Sequence, residues 1–366
     1  MSSVPDRVLG LMEASDLSRH AFAQQIGLDD SKLSQSMSGA RRFSSLDLAR
    51  IAELCHVTVD WLITGEERPL AVAARTTSGD AGAALDAAKR YSTLREDTAS
   101  LGYRQPWRPM TARLGAGGYV EQGRQLAQDA LLRVGQAGRS ISDGNLPVLT
   151  EKVFGVDVAV VELGTGFDGL AVSSDDVKLI ILATSHVPAR QRFTLAHELG
   201  HLLAGDDQGV HLDRDIFDKS QAKDPSEMRA SAFASAFLMP ENTLRDAGTT
   251  GLTEQTFAAL SCELMVTPSA LAYRLLHLRL IDAGSCDRYK AITAARAAIT
   301  IGRGEQFAQR VAEASTPRPP GLLVRDTFAA YESGTATLRP YANLLGIDVD
   351  DLRQALESKH GTPDAS

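Results

Sequence analysis

The chain has 366 residues, enough for two or three domains, and its hydrophobic content of 43% is that of an ordinary globular protein. No run approaches the roughly 18 apolar residues of a membrane span, and residues 1–7 lack an apolar signal core, so we expect a cytoplasmic protein with no membrane partner. Three cysteines are too few for a disulfide framework, and a net charge of −8 excludes a general nucleic-acid footprint.

The first 66 residues carry helical patterns separated by short polar turns, over residues 6–14, 19–28, 31–39, 45–56 and 58–64. Gly27 closes the second pattern, and the run Asp29-Asp30-Ser31 offers residues that cap a new helix. Trp61 and Leu62 are expected core residues. A helix, a tight turn and a second helix predict a helix-turn-helix arrangement, in which the second helix enters the major groove of DNA.

This segment resembles the Cro/C1-type (XRE) helix-turn-helix domains over residues 5–66. The matching residues are Phe22-Ala-x-x-Ile-Gly-Leu28, Leu33-Ser-Gln, Gly39 and Leu48-x-x-Ile-Ala-x-x-Cys-x-Val-x-x-x-Trp-Leu62. The resemblance implies base or phosphate contacts for residues on the second helix, and phosphate contacts for two arginines just past it. These residues are Ser31, Lys32, Gln35, Ser36, Arg41 and Arg42.

The charge balance of this segment works against strong DNA binding. Residues 1–66 contain six Lys/Arg against nine Asp/Glu, whereas DNA affinity depends largely on neutralising phosphates. Only Lys32, Arg41 and Arg42 form a local basic cluster. The sequence therefore leaves open weak DNA binding, DNA binding as a homodimer, or a protein partner in place of DNA.

Small residues dominate residues 69–86, which predicts an exposed linker that grades into a helix over 83–99. A loop and two further helical patterns follow, and strand patterns occupy residues 156–163, 170–173 and 177–182. An edge strand beside a metal-binding helix can hold an extended peptide by main-chain hydrogen bonds. The sequence does not indicate which strand lies at the edge.

The most informative motif is His197-Glu198-Leu199-Gly200-His201, in a run with apolar residues at helical spacing. Histidines four residues apart project from the same helix face, so both imidazoles can bind one metal ion. Glu198 can reach a water held by that ion and act as general base. The pattern is typical of a zinc hydrolase, with Mn²⁺ or Fe²⁺ as alternative ions, and the apolar flanks disfavour an ordinary surface helix.

Catalytic zinc usually has three protein ligands, and Glu227 is the preferred third one. It lies near the start of another helical pattern, which Pro240 ends. A short carboxylate needs a close approach of the two helices, and small residues on both would permit it: Ala196, Gly200 and Ala204 on the first, Ala230 and Ala234 on the second. His211 and Asp207 are the alternative third ligands.

Two stretches carry a second resemblance, Arg192-Phe-Thr-Leu-Ala-His-Glu-Leu-Gly-His201 and Glu227-x-x-Ala-x-x-Phe-Ala-x-x-Phe-Leu-Met-Pro240. Over residues 140–282 the chain resembles the ImmA/IrrE metallopeptidases. The resemblance implies metal ligands at His197, His201 and Glu227 and a catalytic glutamate at Glu198. Ser231 replaces the family's usual asparagine, and we expect little consequence. Several members cut helix-turn-helix repressors, which implies a repressor as the protein substrate and control of stress or mobile-element genes.

We therefore expect an α+β protein with four regions. An all-α helix-turn-helix domain spans residues 1–66, and a linker with a connecting helix spans 67–118. A mixed metallopeptidase-like domain, with a small sheet and the histidine helix, spans 119–283. A helical C-terminal region without an assigned function spans 284–366.

Two functions fit this organisation. The first is a zinc-dependent endopeptidase fused to a helix-turn-helix module, with a transcriptional repressor as substrate. The second is a DNA-binding transcriptional regulator whose metallopeptidase-like domain senses metal or a ligand without proteolysis. The presence of Glu198 favours the first function, because a sensor has no need of that glutamate.

Overall fold

The computed structural model describes residues 3–15, 17–55, 62–63, 82–110, 117–163, 167–206, 210–213, 225–248 and 252–358. The chain divides into two compact units, Met1–Thr76 and Thr77–Ser366. Helices predominate and a small mixed sheet accompanies them, which confirms the expected α+β class. None of the described helices is both long enough and apolar enough to cross a membrane.

The described helices of the first unit are α1 (Val4–Ala14), α2 (Arg19–Gln25), α3 (Asp30–Met37) and α4 (Ser45–Leu54). The Asp29 side chain caps α3 by accepting a hydrogen bond from the Lys32 backbone N–H. Gly27 adopts a φ of +70° in the turn between α2 and α3, a backbone conformation that favours glycine. These features place a short turn between two helices, at the positions that the sequence predicts.

Apolar side chains from all four helices form the core of the first unit, and they include Val8, Phe22, Leu33 and Ile51. Leu62 is fully buried in the same core, as predicted. Apart from Leu62 and Ile63, the predicted fifth helix, with Trp61, lies outside the described residues, as does most of the predicted linker.

The second unit begins with α5 (Gly82–Ser100), α6 (Tyr119–Gln136) and α7 (Leu146–Phe154). The central elements are β1 (Asp157–Val161), β2 (Gly169–Ser173), β3 (Lys178–Ala183), α8 (Pro188–Ala204), β4 (Val210–Asp213) and α9 (Pro225–Leu238). Next come α10 (Glu241–Gly248), α11 (Glu254–Leu264), α12 (Pro268–His277), α13 (Ala283–Lys290) and α14 (Ala294–Thr300). The last described helices are α15 (Gly304–Ala314), α16 (Gly321–Glu332), α17 (Arg339–Leu345) and α18 (Val349–Ser358).

The four strands form one mixed sheet in the order β1-β3-β2-β4. β1 is parallel to β3, and β2 is antiparallel to both β3 and β4. Residues of β1, β2 and β3 are buried at successive positions, so both faces of the sheet are covered. α5 and α8 both pack against β2 and β3. β4 is an element that the sequence patterns did not predict.

α9 packs against both α6 and α8, and glycines lie at the two contacts. A Cβ at Gly123 of α6 would lie 2.3 Å from the backbone oxygen of Arg229. A Cβ at Gly200 of α8 would lie 2.9 Å from the Phe233 ring and 3.3 Å from the Cα of Ala230. The predicted close approach of the two small-residue faces is therefore confirmed, and it carries the start of α9 toward the histidine motif.

The C-terminal helices contact the sheet, whereas the sequence suggests a separate region. Arg318 exchanges backbone hydrogen bonds with Val160 at the β1 edge. In the interior, Arg95 of α5 binds Asp157 of β1 at 2.8 Å and Asp326 of α16 at 2.7 Å. All three side chains are buried, so an ion cluster connects α5, the sheet and the C-terminal helices.

Candidate metal centre

α8 places the polar side chains of its motif in the protein interior. Pro188 occupies the first turn of α8, and Gly205, with a φ of +69°, ends the helix at a left-handed residue. His197, Glu198 and His201 are each fully buried. Ionisable side chains are seldom buried so completely without a partner, which makes this cluster a candidate functional site.

Glu227, in the first turn of α9, lies between the two histidines. Its Oε2 is 3.1 Å from His197 Nε2, its Oε1 is 3.2 Å from His201 Nε2, and the two Nε2 atoms are 3.2 Å apart. The imidazole rings meet edge to face at 75°. The structure therefore brings together the preferred ligand set, which forms a possible metal cluster within the described part of the chain.

The spacing of the donor atoms fits a zinc ion. In a tetrahedral site with bonds of about 2.0–2.2 Å, neighbouring ligand atoms lie roughly 3.3 Å apart. The separations here are 3.1–3.2 Å. Two imidazoles and one carboxylate are the donor set of a catalytic zinc site that keeps its fourth position open. The donor set and its geometry therefore fit a catalytic metal centre.

The two histidines determine the protonation state of the Glu227 carboxyl. Burial acts to raise its pKa, but hydrogen bonds and charges from His197 and His201 outweigh burial and hold the pKa well below its ordinary value. The carboxyl is therefore ionised at neutral pH, which is the state that binds a cation.

Each histidine makes a second contact through its Nδ1 atom. His201 Nδ1 lies 3.2 Å from Asp206 Oδ2, and His197 Nδ1 lies 3.4 Å from Ser231 Oγ. Asp206 is bound in turn by Arg229 of α9. An acceptor on the second ring nitrogen orients a metal-binding imidazole and makes it a better ligand. Ser231, at the position of the family's usual asparagine, therefore lies beside the metal-binding ring of His197.

Asp206 and Arg229 are parts of this centre that the sequence patterns did not predict. One local signal points to Asp206, because an acidic residue just beyond a helix C-terminus is unfavourable beside the helix dipole and so suggests another role. Arg229 gives no local signal, since its partner is 23 residues away. Of the alternative third ligands, Asp207 and the side chain of His211 lie outside the described residues.

The DNA-contact residues predicted in the first unit fall into two groups. Four of them are exposed: Ser31, Lys32, Gln35 and Arg42. Ser36 is buried and accepts a hydrogen bond from Arg41, whose guanidinium also binds Asp47. A buried hydroxyl does not face a base edge, so the structure does not support the predicted DNA contact of Ser36.

Comparisons with known proteins bear on the metal centre. Residues 152–276 match the Peptidase_M78 family model, the IrrE N-terminal-like domain, and this segment contains all four residues of the candidate centre. The radiation response metalloprotease IrrE of Deinococcus radiodurans is 35% identical over 123 residues, which are 33% of this chain and 37% of that protein. These matches support a metallopeptidase domain of the ImmA/IrrE type, a class that carries a metal ion, usually zinc. The chain covers little more than a third of that relative.

Proposed function

We propose that the chain is a zinc-dependent endopeptidase fused to a helix-turn-helix module, and that it cleaves a transcriptional repressor to switch on stress or mobile-element genes. The observation that carries the proposal is the cluster of the buried His197 and His201 with the half-buried Glu227, and the buried Glu198 beside it. Glu198 directly follows the ligand His197 in the chain and adds a carboxylate that is not one of the three metal ligands. A hydrolase needs this residue, whereas a purely structural zinc site does not.

In this proposal the protein side chains divide the work of peptide hydrolysis. A bound zinc ion would activate a water molecule and polarise the scissile carbonyl. Glu198 accepts the proton from the attacking water as general base and then delivers it to the leaving amine nitrogen. Asp206 and Ser231 hold the rings of His201 and His197 in orientation, so the Nε2 atoms remain directed at Glu227.

An extended substrate requires a free sheet edge, and β1 and β4 are the two outer strands. The β1 edge already exchanges backbone hydrogen bonds with Arg318. We therefore assign the substrate main chain to β4, whose other side pairs with β2. The choice of a repressor as substrate rests on the ImmA/IrrE resemblance.

The test is to incubate the zinc-loaded chain with candidate helix-turn-helix repressors of its own organism and to map cuts by mass spectrometry. Chelation should stop cleavage and zinc should restore it. Glu198→Gln should lose about 10²–10⁴-fold in rate and keep its zinc by metal analysis. Glu241→Gln, which changes an exposed carboxylate on α10, is the control and should cleave normally. Undiminished cleavage by Glu198→Gln would exclude the proposed mechanism.

A second candidate is a DNA-binding regulator whose metallopeptidase-like domain responds to metal or a ligand and cleaves nothing. The exposed polar residues of α3, in a compact unit of their own, favour this alternative. It requires operator binding by the full-length chain that changes between zinc-loaded and chelated protein. It also requires that no candidate repressor is cut.

A further inference from the structure

A small cavity in the second unit is lined by more positive than negative side chains. Its volume is about 130 Å³, and it lies between α8, the start of α7 and α15. The charged residues that line it are Arg192, Arg310, Arg318 and Glu313. The catalytic motif does not contribute to the lining.

Arg192 is the buried charge of this cavity. Its side chain is only 8% exposed, and one terminal nitrogen donates to the backbone oxygen of Ile141. The Nε–H is buried and has no hydrogen-bond partner within the described part of the chain. A buried charged donor without a partner costs folding free energy, so its presence beside a cavity indicates a missing acceptor.

The neighbouring charges do not neutralise Arg192. Arg318 is paired with Glu151, whereas Arg310 donates to the backbone oxygen of Cys262. Glu313 is exposed and accepts a hydrogen bond from Gln309 of its own helix. Within the described residues neither Arg192 nor Arg310 forms an ion pair, and Glu313 is the one carboxylate of the cavity lining, so the lining remains positive.

The pKa of Arg192 reflects its burial in this positively charged lining. Burial lowers its pKa to about 10, and the charge of Arg310 acts in the same direction. The guanidinium still carries its charge at neutral pH. A nearby anion would oppose the lowering of its pKa by burial and by Arg310.

We propose that this cavity binds a small oxyanion, a phosphate group or a carboxylate, between Arg192 and Arg310. At roughly 30 Å³ per water molecule, the cavity holds about four waters, which is the size of inorganic phosphate rather than of a drug-sized ligand. Guanidinium groups match the geometry of both oxyanions through paired N–H donors. Arg192 precedes His197 by five residues, about 140° around the helix, so the anion site and the metal centre lie on different sides of α8.

The test is isothermal titration of the full-length, chelator-treated protein with inorganic phosphate and, separately, with acetate. Chelation removes any anion binding by metal, so the result does not depend on the proposed peptidase activity. We expect at least one of the two anions to bind. The anion that binds more tightly shows whether the site prefers phosphate groups or carboxylates. Arg310→Gln should weaken it about tenfold or more, as expected for loss of a charge-assisted hydrogen bond worth about 1.5–3 kcal/mol.

Arg303→Gln is the matched control, because Arg303 is exposed, directly precedes α15 and does not line the cavity. Arg192→Lys is the second variant, since it keeps the charge but loses the paired donors. It should also bind more weakly, with its fold checked by circular dichroism. Absence of binding by the wild-type protein at millimolar anion, or equal binding by Arg310→Gln and Arg303→Gln, overturns the proposal.

Discussion

The two buried histidines of α8 use their second ring nitrogens differently. His201 faces the carboxyl group of Asp206, which Arg229 holds in place, whereas His197 faces the hydroxyl of Ser231. A carboxylate is the stronger acceptor, and the 3.4 Å contact to Ser231 is long for a hydrogen bond. We therefore expect the metal to depend more on Asp206 than on Ser231.

Replacing Asp206 by asparagine should weaken zinc binding about 10-fold to 100-fold, because His201 loses a charged acceptor. Competition with a chelating dye measures the affinity. Asp168→Asn is the control, since Asp168 binds Arg190 of α8 but no metal-binding histidine. Equal zinc affinity in the two variants would show that Asp206 has no role at the centre.

At the scale of secondary-structure elements, the metal centre depends on the close contact of α8 and α9. Gly200 and Ala230 let the two backbones approach, and Phe233 fills the space beside them. This contact carries Glu227 to within 3.2 Å of both histidines. A larger residue at position 200 would therefore disturb packing and metal binding together.

Gly200→Ala should lower the free energy of unfolding by about 1 kcal/mol. The destabilisation from overpacking, about 1–3 kcal/mol, exceeds the stabilisation that alanine gives to a helix relative to glycine. It should also weaken zinc binding. Gly135→Ala is the matched control, because a Cβ at this helical glycine meets no atom within 4 Å and should stabilise α6 slightly. Thermal unfolding compares the two, and a stabilised Gly200→Ala would contradict the packing argument.

In the proposed function, α3 and the two arginines just after it would form the DNA interface. Lys32 and Arg42 are exposed, and Lys32 forms a surface ion pair with Asp29, whereas the less exposed Arg41 is engaged with Ser36 and Asp47. Lys32→Ala and Arg42→Ala should each weaken DNA binding and reduce the slope of log affinity against log salt by about 1. Arg353→Ala, an exposed change in α18, should alter neither quantity. Fluorescence anisotropy at several salt concentrations measures both, and unchanged slopes would count against this face.

At the scale of the whole second unit, one buried ion cluster joins distant parts of the chain. Arg95 binds Asp157 through two nitrogens and Asp326 through a third. The Asp157 carboxylate also accepts hydrogen bonds from Gln105 and from the Leu323 backbone N–H. Each buried charge has several partners, so removing the arginine leaves two carboxylates in the interior without their ion-pair partner.

Arg95→Met should lower the free energy of unfolding of the second unit by about 3–5 kcal/mol, the usual cost of breaking a buried ion pair. Scanning calorimetry measures the loss. Lys89→Met, an exposed change on the same helix, should have little effect. If both variants unfold at the same temperature as the wild-type protein, the cluster does not hold the C-terminal helices to the sheet.

Periodicity predicted β1, β2 and β3 to within two residues at each end, because their apolar runs are continuous and bounded by turn residues. It also predicted α8, α9 and the small-residue contact between them. β4 was missed, since its four residues carry too short a pattern to stand out. The attachment of the C-terminal helices was also missed, because Arg318 and Asp326 find their partners more than 150 residues away.

The sequence by itself determined the histidine pair and Glu198, since helix geometry alone places residues four apart on one face. Local residues also set the ends of α8, with Pro188 in its first turn and Gly205 just after its last residue. Only the tertiary structure decided that Glu227 meets the histidines, that Asp206 and Arg229 support them, and that Arg192 and Arg310 line one cavity. These contacts join elements that are separate in the chain, and their geometry depends on how the helices pack rather than on local spacing.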